Sequence, residues 1–282
     1  FYELFMQKII PFLIYTNIIV SLSALSLYRI TEILFQFSNY NLGLFVFFST
    51  LLAYNYMRLP LFSELETKRI KWVQNHITVI YGFILFSLAI TVYLIILLGN
   101  KFIALISPII FISIIYPVQI NFSSSKYNLR KVPLLKMLLI SITWVYVTLI
   151  VPLIYNNTQI NYYEIDVIFQ RFLFLLSICV IFDIKDLKTD NIVTLPRYIG
   201  TQKSKYFTIF CLFVIELLLL IDLLNNTVPF NIFLGLILSI EVSAFVLYTA
   251  NENRGEWFYD VLVESLSIIM CLFVFFTSIF NF

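Results

Sequence analysis

Three aspartates stand at the end of a long apolar run, in Phe182-Asp183-Ile184-Lys185-Asp186-Leu187-Lys188-Thr189-Asp190. On a helix this spacing puts Asp183, Asp186 and Asp190 on one face. Like charges on one face repel, and a divalent cation relieves the repulsion. Clustered carboxylates are the ligands that Mg²⁺ takes alongside phosphate oxygens. In a chain that otherwise avoids charge, such a cluster at a water boundary points to the handling of a phosphorylated lipid. The plain alternative is a solvated helix end, although an aspartate there opposes the helix dipole and a lysine would suit it better.

The elements that must position these carboxylates are membrane spans. Of the 282 residues, 61% are hydrophobic and 12% charged, and the mean hydropathy is +0.95. A soluble core could not hide so much apolar surface, whereas a bilayer can. Apolar runs long enough to cross about 30 Å of hydrocarbon recur along the chain. They predict an all-α, polytopic bundle of nine transmembrane helices over 9–29, 42–62, 77–98, 102–118, 133–154, 165–182, 206–224, 230–250 and 259–280, as one domain over 1–282. Gly is scarce, so bulky side chains rather than glycine contacts are expected to dominate packing. Cys179, Cys211 and Cys271 all fall inside spans and form no metal or disulfide pattern.

Charge sets the expected orientation. Lys8 precedes the first span. Arg58, Lys68, Arg69 and Lys71 follow the second, and Lys126, Arg130, Lys131 and Lys136 follow the fourth. Lys185, Lys188, Arg197, Lys203 and Lys205 follow the sixth, and Arg254 follows the eighth. Only Arg29, Lys101 and Arg171 fall on the other side. The positive-inside rule then predicts a cytoplasmic N-terminus and an outer C-terminus. The aspartates would face the cytoplasm, inside a mouth of basic side chains suited to anions. The bland reading of those lysines is that they are topological signals alone.

With this arrangement the chain resembles the UbiA-type intramembrane prenyltransferases. The second aspartate-rich motif of that family has the form D-x-x-D-x-x-x-D, then T-L-P and a Gly. Here it reads Asp183, Asp186, Asp190, Thr194-Leu195-Pro196 and Gly200. Tyr116-Pro117 resembles the family's Tyr-Pro before a basic loop. Lys131-Val132-Pro133-Leu134-Leu135-Lys136, with Trp144 and Pro152, resembles its fifth helix. The first motif, N-D-x-x-D, departs: the chain reads Ala53-Tyr54-Asn55-Tyr56-Met57-Arg58-Leu59-Pro60, keeping Asn55 and losing the acids. The stretch between Asp190 and Thr194 is also shorter than the family's, which suggests a tighter loop.

The resemblance implies transfer of a prenyl group from an isoprenoid diphosphate to a lipophilic acceptor, aromatic or lipid, within the membrane. It implies Mg²⁺ held by Asp183, Asp186, Asp190 and Asn55, with Asp186 and Asp190 in the catalytic role. It places Asn55, Arg58, Tyr116, Arg130, Lys131, Lys136 and Arg197 around the diphosphate. Where the family uses carboxylates for a second Mg²⁺, Arg58 is expected to meet the phosphate directly, leaving one metal. The expected location is the bacterial inner membrane, with no nucleic-acid partner. One rival reading keeps the fold without the chemistry, as a non-catalytic prenyl-diphosphate or quinone binder or an accessory protein. Another is a proton-coupled transporter using Glu216 and Glu241, which sit near the middle of spans seven and eight.

Overall fold

The computed structural model describes residues 9–59, 68–115, 120–122, 125–127, 134–187 and 194–279. In chain order these form α1 (Ile10–Tyr15), α2 (Ile18–Phe35), α3 (Tyr40–Met57), α4 (Lys68–Asn75), α5 (Ile77–Ile115), the strands β1 (Ile120–Phe122) and β2 (Ser125–Tyr127), and α6 (Leu135–Val145). A π-helical turn, Tyr146–Ile150, leads into α7 (Val151–Tyr155). Then follow α8 (Tyr162–Asp186), α9 (Leu195–Ile199), α10 (Thr201–Leu224), α11 (Phe230–Tyr248), a second π-helical turn at Phe258–Val263, and α12 (Leu266–Ile279). Apart from one antiparallel hairpin of β1 and β2, the described chain is helical.

Seven described helical segments are long and apolar enough to cross a membrane: Ile18–Phe35, Ile77–Ile114, Leu135–Tyr155, Tyr162–Asp186, Thr201–Leu224, Phe230–Tyr248 and Phe258–Ile279. The chain is therefore a helical transmembrane protein. Large apolar side chains face outward along these helices, among them Ile96, Phe111, Phe210 and Phe245. In water they would drive aggregation, and in hydrocarbon they are solvated.

The residues divide into two compact units. The first comprises Phe1–Leu25 and Asn39–Arg130, the second Ser26–Ser38 and Lys131–Phe282. In the first unit α3 packs along α5. Helix α5 is broken at Gly99, whose φ of 80° and ψ of −176° are not helical and suit glycine alone. The break folds the helix back. Phe45 and Phe48, one turn apart on α3, touch Phe102 and Phe86 with ring centroids at 4.7 and 5.9 Å. In a straight helix those two partners would stand about 24 Å apart. Gly99 falls where the sequence puts the gap between its third and fourth spans.

The first predicted span needs correction. Residues 9–29 do not form one helix, because Thr16 and Asn17 interrupt it and the spanning helix runs from Ile18 to Phe35. Thr16 Oγ1 donates to the Phe12 carbonyl, and Asn17 has a left-handed φ of 61°, which Asn tolerates better than most residues. Arg29 and Arg171, read as charges on the outer side, lie within α2 and α8. Arg29 pairs with Glu32 one turn on, and Arg171 is buried.

The second unit packs α8, α10, α11 and α12 around one core of Leu173, Ile181, Leu212, Ile240, Val263 and Val274, with further apolar residues around them. Although glycine is scarce, one is decisive here. A Cβ on Gly235 would stand 2.8 Å from Val274 Cα and 3.0 Å from the Phe273 carbonyl of α12. Those are backbone atoms, so α11 and α12 would have to separate. Gly235→Ala is expected to cost about 1–3 kcal/mol, read as a lowered unfolding temperature in detergent. Gly82→Ala, where a Cβ meets nothing within 4 Å, is the control and should be neutral or slightly stabilising.

Candidate functional site

Helix α8 ends on the aspartate motif. Glu164 and Asn161 close a capping box at its start, and its last turn carries Asp183 and Asp186 on one face, as the sequence spacing requires. Asp183 is buried at 3% exposure. Lys136, from the first turn of α6, reaches both carboxylates: its Nζ stands 3.1 Å from Asp183 Oδ1 and 2.8 Å from Asp186 Oδ2. The repulsion that called for a cation is thus relieved by a lysine fifty residues earlier in the chain.

Around this pair the chain is tied down. Lys185 Nζ lies 2.6 Å from Asp260 Oδ1 and 6.0 Å from the centre of the Tyr259 ring. The Tyr259 hydroxyl donates to the Asn251 carbonyl at 2.8 Å. Arg197 is exposed, and its Nη2 donates to the Leu187 carbonyl at 2.8 Å, stitching α9 to the end of α8. Pro196 sits in the first turn of α9, where its missing N–H costs nothing. Gly200 has φ 89°, ends α9 and starts α10. The Thr194-Leu195-Pro196 and Gly200 elements therefore act as chain-turning devices that return α10 beside α8.

Asn55 and Arg58 lie in the first unit. Asn55 is 1% exposed, and all of its polar atoms are engaged there. Nδ2 donates to the carbonyls of Thr16 and Leu51 at 2.9 and 2.8 Å, and Oδ1 accepts from Asn17 Nδ2 at 2.9 Å. Oδ1 is the atom that the sequence reading offers to a metal, and here it meets Asn17. Asn17 is the residue that sequence reasoning missed. Its Oδ1 accepts from Arg58 Nη1 at 2.7 Å and from Arg69 Nη2 at 2.6 Å. Arg58 also lies 4.9 Å from the centre of the Tyr54 ring, and it makes no ion pair among the described residues. Two guanidinium groups thus converge on one neutral oxygen. The polar Thr16-Asn17 pair inside an apolar run was the available signal. Asp190, Tyr116, Arg130 and Lys131 lie outside the described residues.

Among the described residues no group of three or more His, Cys, Asp or Glu side chains could hold a metal ion. Asp183 and Asp186 offer hard oxygen ligands of the right chemistry for Mg²⁺, but Lys136 already shares them. Glu216 is half-buried and Glu241 exposed on the flanks of α10 and α11, close enough to interact electrostatically. Ser239 and Ser243 do not serve these glutamates: their hydroxyls donate to the carbonyls of Leu236 and Ser239 in their own helix. No protein-family model, no curated protein and no solved structure matches this chain.

Proposed function

We propose that the chain binds an isoprenoid diphosphate at the inner end of α8 and transfers its prenyl group to a lipophilic acceptor, as a nine-span member of the UbiA-type fold. The observation that carries this reading is the meeting of Lys136 with Asp183 and Asp186. Phosphate and metal ligands nominated on two separate helices lie within 3.1 Å of each other. The count of nine follows if α3 is a span and the two arms of α5, folded at Gly99, are separate spans. Basic residues beside the motif support a cytoplasmic face for it.

Mg²⁺, when held by Asp183, Asp186 and Asp190, would neutralise charge that develops on the leaving diphosphate. The chain's own residues do the rest. Lys136, released from Asp186, donates to phosphate oxygens. The apolar span surfaces exclude water from the allylic carbon.

The test is binding of labelled geranylgeranyl diphosphate to purified protein, with and without Mg²⁺. We expect Mg²⁺-dependent binding that falls at least about tenfold, or 1.4 kcal/mol, in Asp186→Ala. Binding that is unaffected in Asp186→Ala would remove the site. A second reading, a binder without turnover, is favoured by Lys136 standing where the cation would. It predicts equal binding in EDTA and no prenylated product.

A further inference from the structure

Arg171 lies nine residues into α8, about 14 Å from the start of that helix, and is 7% exposed. A charge at such depth is expensive and marks a site with a partner. Yet Arg171 makes no ion pair among the described residues. Both of its hydrogen bonds leave from Nη1, one to Thr31 Oγ1 and one to the Thr148 carbonyl at 3.2 Å. Thr148 can accept from outside its own helix because Pro152, four residues on, has no N–H to give it. Thr31 Oγ1 approaches the same carbonyl at 2.8 Å. This shelf fixes one edge of the guanidinium. Its Nε and Nη2 donors have no protein acceptor among the described residues.

Arg171 lines a partly enclosed recess of about 40 Å³. Apart from Gln170 and Arg171 its lining is apolar, with Leu27, Phe174, Leu219, Leu236 and Ile240 among the contributors. Carboxylates on the surrounding helices are engaged elsewhere. Glu32 accepts from Tyr28 and pairs with Arg29. Asp166 and Asp222 both accept from Gln170 Nε2, at 2.8 and 2.9 Å. Among the described residues, Arg171 therefore faces a largely apolar space with its Nε–Nη2 edge unused.

We propose that this recess holds the carboxylate of a single-chain lipid acid, with Arg171 as its counter-charge and its chain leaving by the open side. The enclosed part is room for about three water-sized groups, which matches the carbon and two oxygens of a carboxylate, and the recess is open enough to let the chain out. A phosphate is larger and more highly charged. The Nε–Nη2 edge presents two parallel N–H donors, the geometry a carboxylate takes in bidentate fashion. The site lies apart from the Asp183–Lys136 pair, three turns further along the same helix, and does not depend on the diphosphate reading.

The experiment is saturation binding of radiolabelled palmitate to the purified protein in detergent, with competitors. We expect saturable binding that unlabelled palmitate displaces and methyl palmitate does not. It should fall at least tenfold in Arg171→Gln and also in Leu236→Trp, which keeps the arginine and fills the recess. An unchanged unfolding temperature in Leu236→Trp separates lost binding from lost fold. Wild-type affinity in either variant, equal displacement by the methyl ester, or no saturable binding to folded protein would overturn the proposal. So would stabilisation by chloride or acetate without palmitate binding, which would make the recess a small-anion site.

Discussion

Replacing Lys136 with methionine should destabilise the second unit by about 3–5 kcal/mol, the usual cost of removing one partner from a buried ion pair. The lysine side chain is 14% exposed, and Asp183 beside it is 4% exposed. Without the ammonium, Asp183 and Asp186 would lose the cation that they share across one helical turn. The cost is therefore carried by the carboxylates left behind, and removing Asp183 as well should recover much of it. Lys136→Met with Asp183→Leu is expected to unfold closer to the wild-type temperature than Lys136→Met alone. Mg²⁺ divides the two functional readings in the same experiment. If the aspartates are a metal site, millimolar Mg²⁺ should raise the unfolding temperature of Lys136→Met more than that of the wild type, since the competing ammonium is gone. If Lys136 is a permanent substitute for the metal, Mg²⁺ should leave both unchanged. A cost below about 1 kcal/mol would show that the pair behaves as a solvated surface bridge.

The aspartate face and the fold-back at Gly99 were legible because each depends on local rules. Helical spacing alone places Asp183 and Asp186 together, and the Gly99-Asn100-Lys101 stretch punctuates an otherwise unbroken apolar run. What escaped were partnerships between distant residues. The Thr16-Asn17 break lay hidden in a run whose average hydropathy still reads as a span. Charge counting assigns Arg29 and Arg171 a side, but a sequence does not show that Glu32 stands beside one and that Thr31 and Thr148 receive the other. Lys136 was nominated for phosphate, and nothing in its neighbourhood in the chain announces that it rests on the carboxylates meant for metal. Asn55 matches a motif position by type, and nothing near it in the chain announces that its oxygen meets Asn17.

Asn17→Val should be the most damaging single change in the first unit, and Asn17→Asp should separate its structural role from its functional one. Valine loses the acceptor for Arg58 and Arg69 and the donor to Asn55 Oδ1. Buried polar groups left unmade cost about 1–3 kcal/mol each. A β-branched residue at φ 61° adds strain of about 1–3 kcal/mol. A loss of about 3 kcal/mol or more is expected, read as failure to purify in monodisperse form or as a large fall in unfolding temperature. Aspartate differs in one respect. It tolerates the left-handed backbone and still accepts from both guanidinium groups, now as an anion, giving up only the bond to Asn55. The fold should therefore hold. The charge of the cluster, however, falls by one, and the new carboxylate competes with any phosphate for the same N–H donors. If Arg58 and Arg69 serve a diphosphate, Asn17→Asp should purify normally and bind geranylgeranyl diphosphate about tenfold or more weakly, a difference of about 1.4 kcal/mol. Wild-type affinity in a folded Asn17→Asp protein would confine these arginines to holding α1, α3 and α4 together.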